Sequence, residues 1–218
     1  MTSTVAAAAI RKATPAAVTL ASQQSGIPIN LEWMPFLLNP DMPEEGEDIT
    51  EHLSRKYGSS AAQRFNDPNS SLRVMGRKVG IEFTNDRKAV NTKRAHALVE
   101  HLKQSPAHGN DVANQFMEHL YKLYFEEGRD INDETLLAEI MVSEQYGLDT
   151  EQAKRAMSAD HLKEIAVQDR QNKVQYGVSG VPFFMIHSSV DTKSRPVAFS
   201  GAYPIEIIAE QLEEAAGE

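Results

Sequence analysis

The side chains able to do chemistry in this 218-residue chain are its 7 histidines, 31 acids and many hydroxyl groups; there is no cysteine. That count excludes disulfide staples, zinc sites built on thiolates and any thiol nucleophile. It does not identify a compartment, because a cysteine-free protein is redox-silent everywhere. No two histidines stand three or four residues apart around an acid, so the zinc-protease helix is absent. Asp41, Glu44, Glu45, Glu47 and Asp48 form an acidic cluster without the alternating spacing and glycine of a calcium loop. It reads as a solvated charged loop. No glycine-rich loop could cradle a phosphate. The residues therefore name no catalytic group and no metal ligand.

Charge and hydropathy narrow the partners. A net charge of −9 with basic residues scattered among acids lacks the basic stripe that nucleic acid requires. No apolar run approaches the roughly 18 to 20 residues that span a bilayer. Neither nucleic acid nor membrane is an expected partner. From Met1 to Gly26 the chain holds Arg11 and Lys12, many small residues and no acid. That composition suits an organelle transit peptide. The reading preferred is an Ala-rich first helix, restarted at Thr14-Pro15 where threonine caps and proline takes the first helical position. A cytoplasmic location is expected, with an organellar one as the alternative.

The elements that would position a site follow from periodicity. Ile27, Ile29, Leu31 and Trp33 alternate with polar neighbours, so Ile27–Met34 is an expected strand, with Pro28 at its start. Pro35–Gly46, rich in proline and acid, must be a loop. Helical patterning runs from Ile49 to Gln104, broken at Gly58, Asp67-Pro68 and Gly80. Within it Thr92–Gln104 turns Ala95, Leu98, Val99 and Leu102 inward. Further helices are expected over Asp111–Glu127, Asp133–Tyr146, Asp149–Met157 and from the Ser158 cap to Tyr176. Val181–Ile186 is wholly apolar, as a strand buried on both faces would be. Val197–Ser200 is a second strand, and Pro204 opens a last helix carrying Ile205, Ile208, Ala209 and Leu212. Strands at both ends of a helical block describe an α/β domain interrupted by a helical insertion.

Five segments in order carry a resemblance. They are P-F-L-L-N-P-D-M-P-E-E-G (Pro35–Gly46), N-T-x-x-A-H (Asn91–His96), Y-F-E-E-G-R-D-I (Tyr124–Ile131), G-V-S-G-V-P-F-F (Gly177–Phe184) and S-G-A-Y-P (Ser200–Pro204). Together they resemble the FrnE type of the DsbA-like thioredoxin-fold family. The resemblance implies an α/β thioredoxin fold interrupted by an all-helical insertion domain. The thioredoxin-like part would be residues 1–40 and 166–218, and the insertion residues 41–165. It implies a cis peptide at Val181-Pro182, whose backbone groups could pair with an extended thiol-bearing chain. It also implies a substrate groove lined by Val181, Pro182, Asn39, Asn91, Thr92 and His96. His96 itself reads as a buried, hydrogen-bonded histidine before it reads as a catalytic one.

The departure is as informative as the match. The family attacks disulfides with a C-P-W-C motif at the start of the first helix, and this chain has nothing of the kind. One alignment places the motif's position at or before Met1, another at Ala6–Ala9. The strand that precedes the motif would be missing too, unless Ser3–Ala8 replaces it. A redox-inactive chain is expected, whether degenerate, truncated or engineered, with no cofactor. The alternative is a glutathione- or peptide-binding module, or a transferase or isomerase related to kappa-class glutathione transferases and 2-hydroxychromene-2-carboxylate isomerases. Those use a serine at the helix start, for which Ser3 or Thr4 could stand, but their Ser/Asp pair is replaced here by Gly201-Ala202-Tyr203. A peptide or a thiol-bearing small molecule is the expected ligand; the oligomeric state leaves no mark in the sequence.

Overall fold

The computed structural model describes residues 2–187, 196–201 and 203–217. The chain forms two compact units. One comprises Met1–Leu31 and Val178–Glu218, the other Glu32–Gly177. In this division residues 32–40 and 166–177 fall in the second unit.

The terminal unit opens on helix α1 (Thr2–Ser25), which runs through Pro15 without restarting there. Proline removes one N–H from the helix interior. The helix continues because Thr14, Ala17 and Ala21 share one face and are all buried. Ser3–Ala8 is part of this helix and not a replacement strand. Beyond Gly26 the expected strand Ile27–Met34 is not formed: the segment is irregular and belongs to no ladder. The alternation survives as burial, since Ile29, Leu31 and Trp33 are half-buried between exposed neighbours. Period two records which side chains turn inward, whereas a strand also needs a partner alongside.

In the helical unit, Glu47–Asp48 (β1) pairs antiparallel with Lys88–Ala89 (β2), a short ladder the sequence did not signal. Between them lie α2 (Ile49–Tyr57), α3 (Ser59–Asn66) and α4 (Ser71–Lys78), divided where Gly58, Asp67-Pro68 and Gly80 stand. Then come α5 (Lys93–Gln104), α6 (Gly109–Phe125), α7 (Glu134–Met141), α8 (Thr150–Ala156) and α9 (Ala159–Tyr176). Helix α7 stops at Met141, short of the expected Tyr146. The chain turns there because Leu148 N–H reaches back to the Met141 carbonyl at 3.0 Å, which swings Tyr146 into the core. Asp149 and Gln152 close a capping box at the start of α8, with bonds of 2.7 and 2.8 Å. The core of this unit joins Leu98 and Leu102 of α5, Phe116 and Leu120 of α6, Leu137 and Met141 of α7, and Tyr146.

The terminal unit is completed by β3 (Phe183–Ile186), β4 (Val197–Ser200) and α10 (Ile205–Gly217). The strands are antiparallel, with Phe184 opposite Phe199 and their rings stacked at 4.8 Å. All four residues of β3 are half-buried, so it is not the doubly buried strand expected. An apolar run says nothing about how many layers will cover it. The small core here is Ala17 and Ala21 of α1 against Ile208 and Ala209 of α10, flanked by Ile29, Phe184 and Phe199.

Candidate functional site

Four of the six residues expected to line a groove, Asn39, Asn91, Thr92 and His96, belong to the helical unit; Val181 and Pro182 belong to the terminal unit. Two of the four, Asn91 and His96, hold the loop in which Asn39 lies. Residues 35–46 run without helix or strand, and their backbone polar groups need partners that secondary structure does not supply. Asn172 Nδ2 donates to the Pro35 carbonyl at 3.3 Å. The His96 imidazole bonds the Phe36 carbonyl. Leu37 N–H donates to Asp169 Oδ1 at 2.8 Å, and its carbonyl accepts from Lys173 Nζ, also at 2.8 Å. Lys56 Nζ donates to Asn39 Oδ1 at 2.6 Å. Asn91 Nδ2 donates to the Met42 carbonyl at 3.0 Å, while its Oδ1 accepts from Lys93 N–H. Asn132 Nδ2 and Lys88 Nζ serve the Glu44 and Glu45 carbonyls. Thr92 takes the N-cap position of α5 without a side-chain cap bond, and its carbonyl accepts from His96 N–H at 3.0 Å.

The electrostatics follow from this burial. Desolvation presses the His96 imidazole down to about 4, although Phe36 and Asp169 oppose it, so it is neutral at pH 7. Asp169 is 2% exposed, and its charge is answered by Lys173, whose ammonium lies 2.9 Å from Oδ2 and 4.5 Å from the Phe36 ring centroid. Asp169 and Lys173 are four residues apart on α9, the spacing of an ordinary surface pair. Sequence reasoning passed over them for that reason, and also over Asn132. Their only signal was that spacing, which occurs as readily on a solvated face. The arrangement holds a loop in one conformation. It brings no nucleophile to a base.

In the terminal unit the Val181–Pro182 peptide is cis, and the Pro182 carbonyl accepts from Gly201 N–H at 3.1 Å, extending the pairing of β3 with β4. Among the described residues there is no group of three or more His, Asp or Glu side chains that could hold a metal ion. No described helix is long and apolar enough to cross a membrane.

A DsbA-like thioredoxin domain model matches residues 13–213, nearly the whole chain. The chain belongs to the DsbA-like thioredoxin-domain family. A crystal structure of a probable DsbA oxidoreductase from Streptomyces coelicolor is similar at 25% identity and a TM-score of 0.71, over 98% of this chain and 85% of that one. No curated protein matches. The fold is therefore the DsbA-like thioredoxin fold, mostly helical, as the sequence motifs implied. This DsbA-like chain differs from the family's chemistry in one count, since none of its 218 residues is a cysteine.

Proposed function

We propose that this chain is a FrnE-type DsbA-like protein that performs no thiol–disulfide exchange and acts as a binding module for an extended, thiol-bearing peptide. The cysteine count carries the reading. Exchange proceeds through a thiolate that attacks a disulfide sulfur and a second thiol that resolves the mixed disulfide. A 218-residue chain without cysteine can supply neither. A serine or threonine hydroxyl, such as that of Ser3 or Thr4, is far less nucleophilic than a thiolate unless a base activates it. What remains is recognition. The Val181 backbone, two residues before β3, would pair with the extended ligand, main chain to main chain.

Two assays test this. In insulin reduction and in oxidation of a reduced dithiol peptide, the purified chain should match the buffer blank; turnover above the blank overturns the redox-silent reading. In an amide NMR titration, a cysteine-containing extended peptide should shift the Val181 and Phe183 resonances saturably. Glutathione replacing the peptide as the only effective ligand would favour the glutathione-binding alternative. No response to either ligand overturns the binding reading.

A further inference from the structure

Arg87 is 5% exposed, yet Nε, Nη1 and Nη2 all lack a protein acceptor. Its guanidinium carbon stands 5.2 Å from the Phe65 ring centroid, 4.9 Å from that of Tyr124 and 5.0 Å from that of Phe125. The rings, from α3 and α6, attract the cation's faces. A ring face is at most a weak acceptor for an N–H group, and a buried donor without a hydrogen-bond acceptor is rare in folded proteins. The Tyr124 hydroxyl donates to the Lys88 carbonyl at 2.9 Å and accepts from none of these N–H groups.

A second cation stands close by. Arg73 of α4 donates from Nη2 to Asn85 Oδ1, two residues before Arg87 in sequence, while its Nε is buried without a partner. Asn85 is oriented by its own bond to Asn66 Oδ1 at 2.9 Å. Burial above all, and then the charge of Arg73, press Arg87's pKa down against an opposing contribution from Tyr124. The nearby acid Asp130 lies 3.8 Å from Lys88, which is its ion-pair partner. A neutral acceptor could satisfy an N–H group but would leave two neighbouring cations uncompensated. A planar or tetrahedral oxyanion answers both requirements, since it accepts bidentate bonds from a guanidinium and carries the missing charge.

We propose that Arg87 and Arg73, with the ring set of Phe65, Tyr124 and Phe125, form a binding site in the helical unit for a small oxyanion, a carboxylate or phosphate group. The site lies wholly within residues 65–125 and is independent of Val181–Pro182. It imposes order as well as charge recognition: the rings fix the plane of the Arg87 guanidinium, and Asn85 fixes the reach of Arg73. The ligand therefore meets donors already arranged for it.

The test titrates the purified chain with sodium phosphate and, separately, with sodium acetate, sodium chloride holding ionic strength constant. The Arg87 Nε–H resonance and the melting temperature are followed to roughly 50 mM, well beyond a millimolar Kd. A saturable shift and a rise in melting temperature are expected with at least one probe, and which one acts separates phosphate from carboxylate ligands. Arg73→Gln, a change at a partly exposed helix position, should weaken that binding about ten-fold or more, as loss of a charge-assisted bond does. A flat titration with both probes, or an equal response to chloride, overturns the site. Wild-type affinity in Arg73→Gln overturns the role of the second arginine.

Discussion

His96 illustrates how a side chain of catalytic type can be structural. Its ring bonds the Phe36 carbonyl in a setting that holds its pKa at about 4. In the unfolded chain the imidazole returns to about 6.5. Above that value both states are neutral and the group leaves stability independent of pH. Between about 6.5 and 4 the unfolded state takes up the proton while the folded state does not, so stability falls as pH falls, by about 1.4 kcal/mol per unit. Below 4 its contribution is constant. Glu47 acts in a lower window: bonds from Arg55 and His52 hold it at about 2 against 4.5, so its contribution is lost as pH falls through that range. Burial also lowers His101 and His119, so their contributions too fall as pH drops below the unfolded value. Replacing His96 with Gln should flatten the wild-type slope between pH 6.5 and 4 in part and leave the lower window unchanged. Urea midpoints across pH measure this, and an imidazole proton resonance titrating near 6.5 in the folded protein would contradict it.

At the scale of elements, the turn after α6 packs against the segment that leads into β2. Gly128 follows α6 with φ of +68°, and the turn lets Arg129 N–H return to the Leu123 carbonyl at 2.8 Å. A Cβ at this position would lie 2.0 Å from the Asp86 carbonyl oxygen, a contact no rotamer relieves because both partners are backbone. Gly128→Ala should therefore destabilise by roughly 3 kcal/mol or more, combining strain in the left-handed region with overpacking. A shift of the urea midpoint to lower concentration checks it; an unchanged midpoint would mean that the 81–87 segment can withdraw from α6. The loop at 35–46 shows the same dependence of irregular backbone on distant elements. Its partners come from α2, β2, α5 and α9 and from Asn91 and Asn132, through residues separated from it by up to 137 positions.

At the scale of the molecule the two units differ in how much core each contains. The helical unit has nineteen buried residues in its main cluster, all between Val90 and Met157. Among the described residues the terminal unit has four, three of them alanine, and a two-stranded sheet. Two strands are marginal alone, and three or more on an apolar face are usually needed for independent stability. A fragment of residues 32–177 should fold and melt cooperatively by circular dichroism, since its core lies within it. The terminal segments joined by a short linker should not. A non-cooperative, molten 32–177 fragment would overturn this ordering of stability.

Helix positions, their inward faces and most of their ends were legible from the residues, because periodicity and breaker residues act over one or two turns. Ala95, Leu98, Val99 and Leu102 were placed correctly on the inner face of α5 in this way, and the family was legible from five local motifs. The absence of thiol chemistry needed only a count. What sequence could not supply depended on contacts between distant segments. Ile27–Met34 alternates as a strand should, yet no strand lies alongside it among the described residues, and the ladder is decided by that partner. The purpose of Asn91 and His96, to hold the 35–46 loop, became visible only when Met42 and Phe36 stood beside them. Arg87 is one of 22 lysines and arginines scattered through the sequence, and nothing in its neighbours sets it apart. Only the tertiary structure could surround it with three aromatic rings and leave its N–H groups without acceptors, since burial belongs to the packed chain and not to the residue.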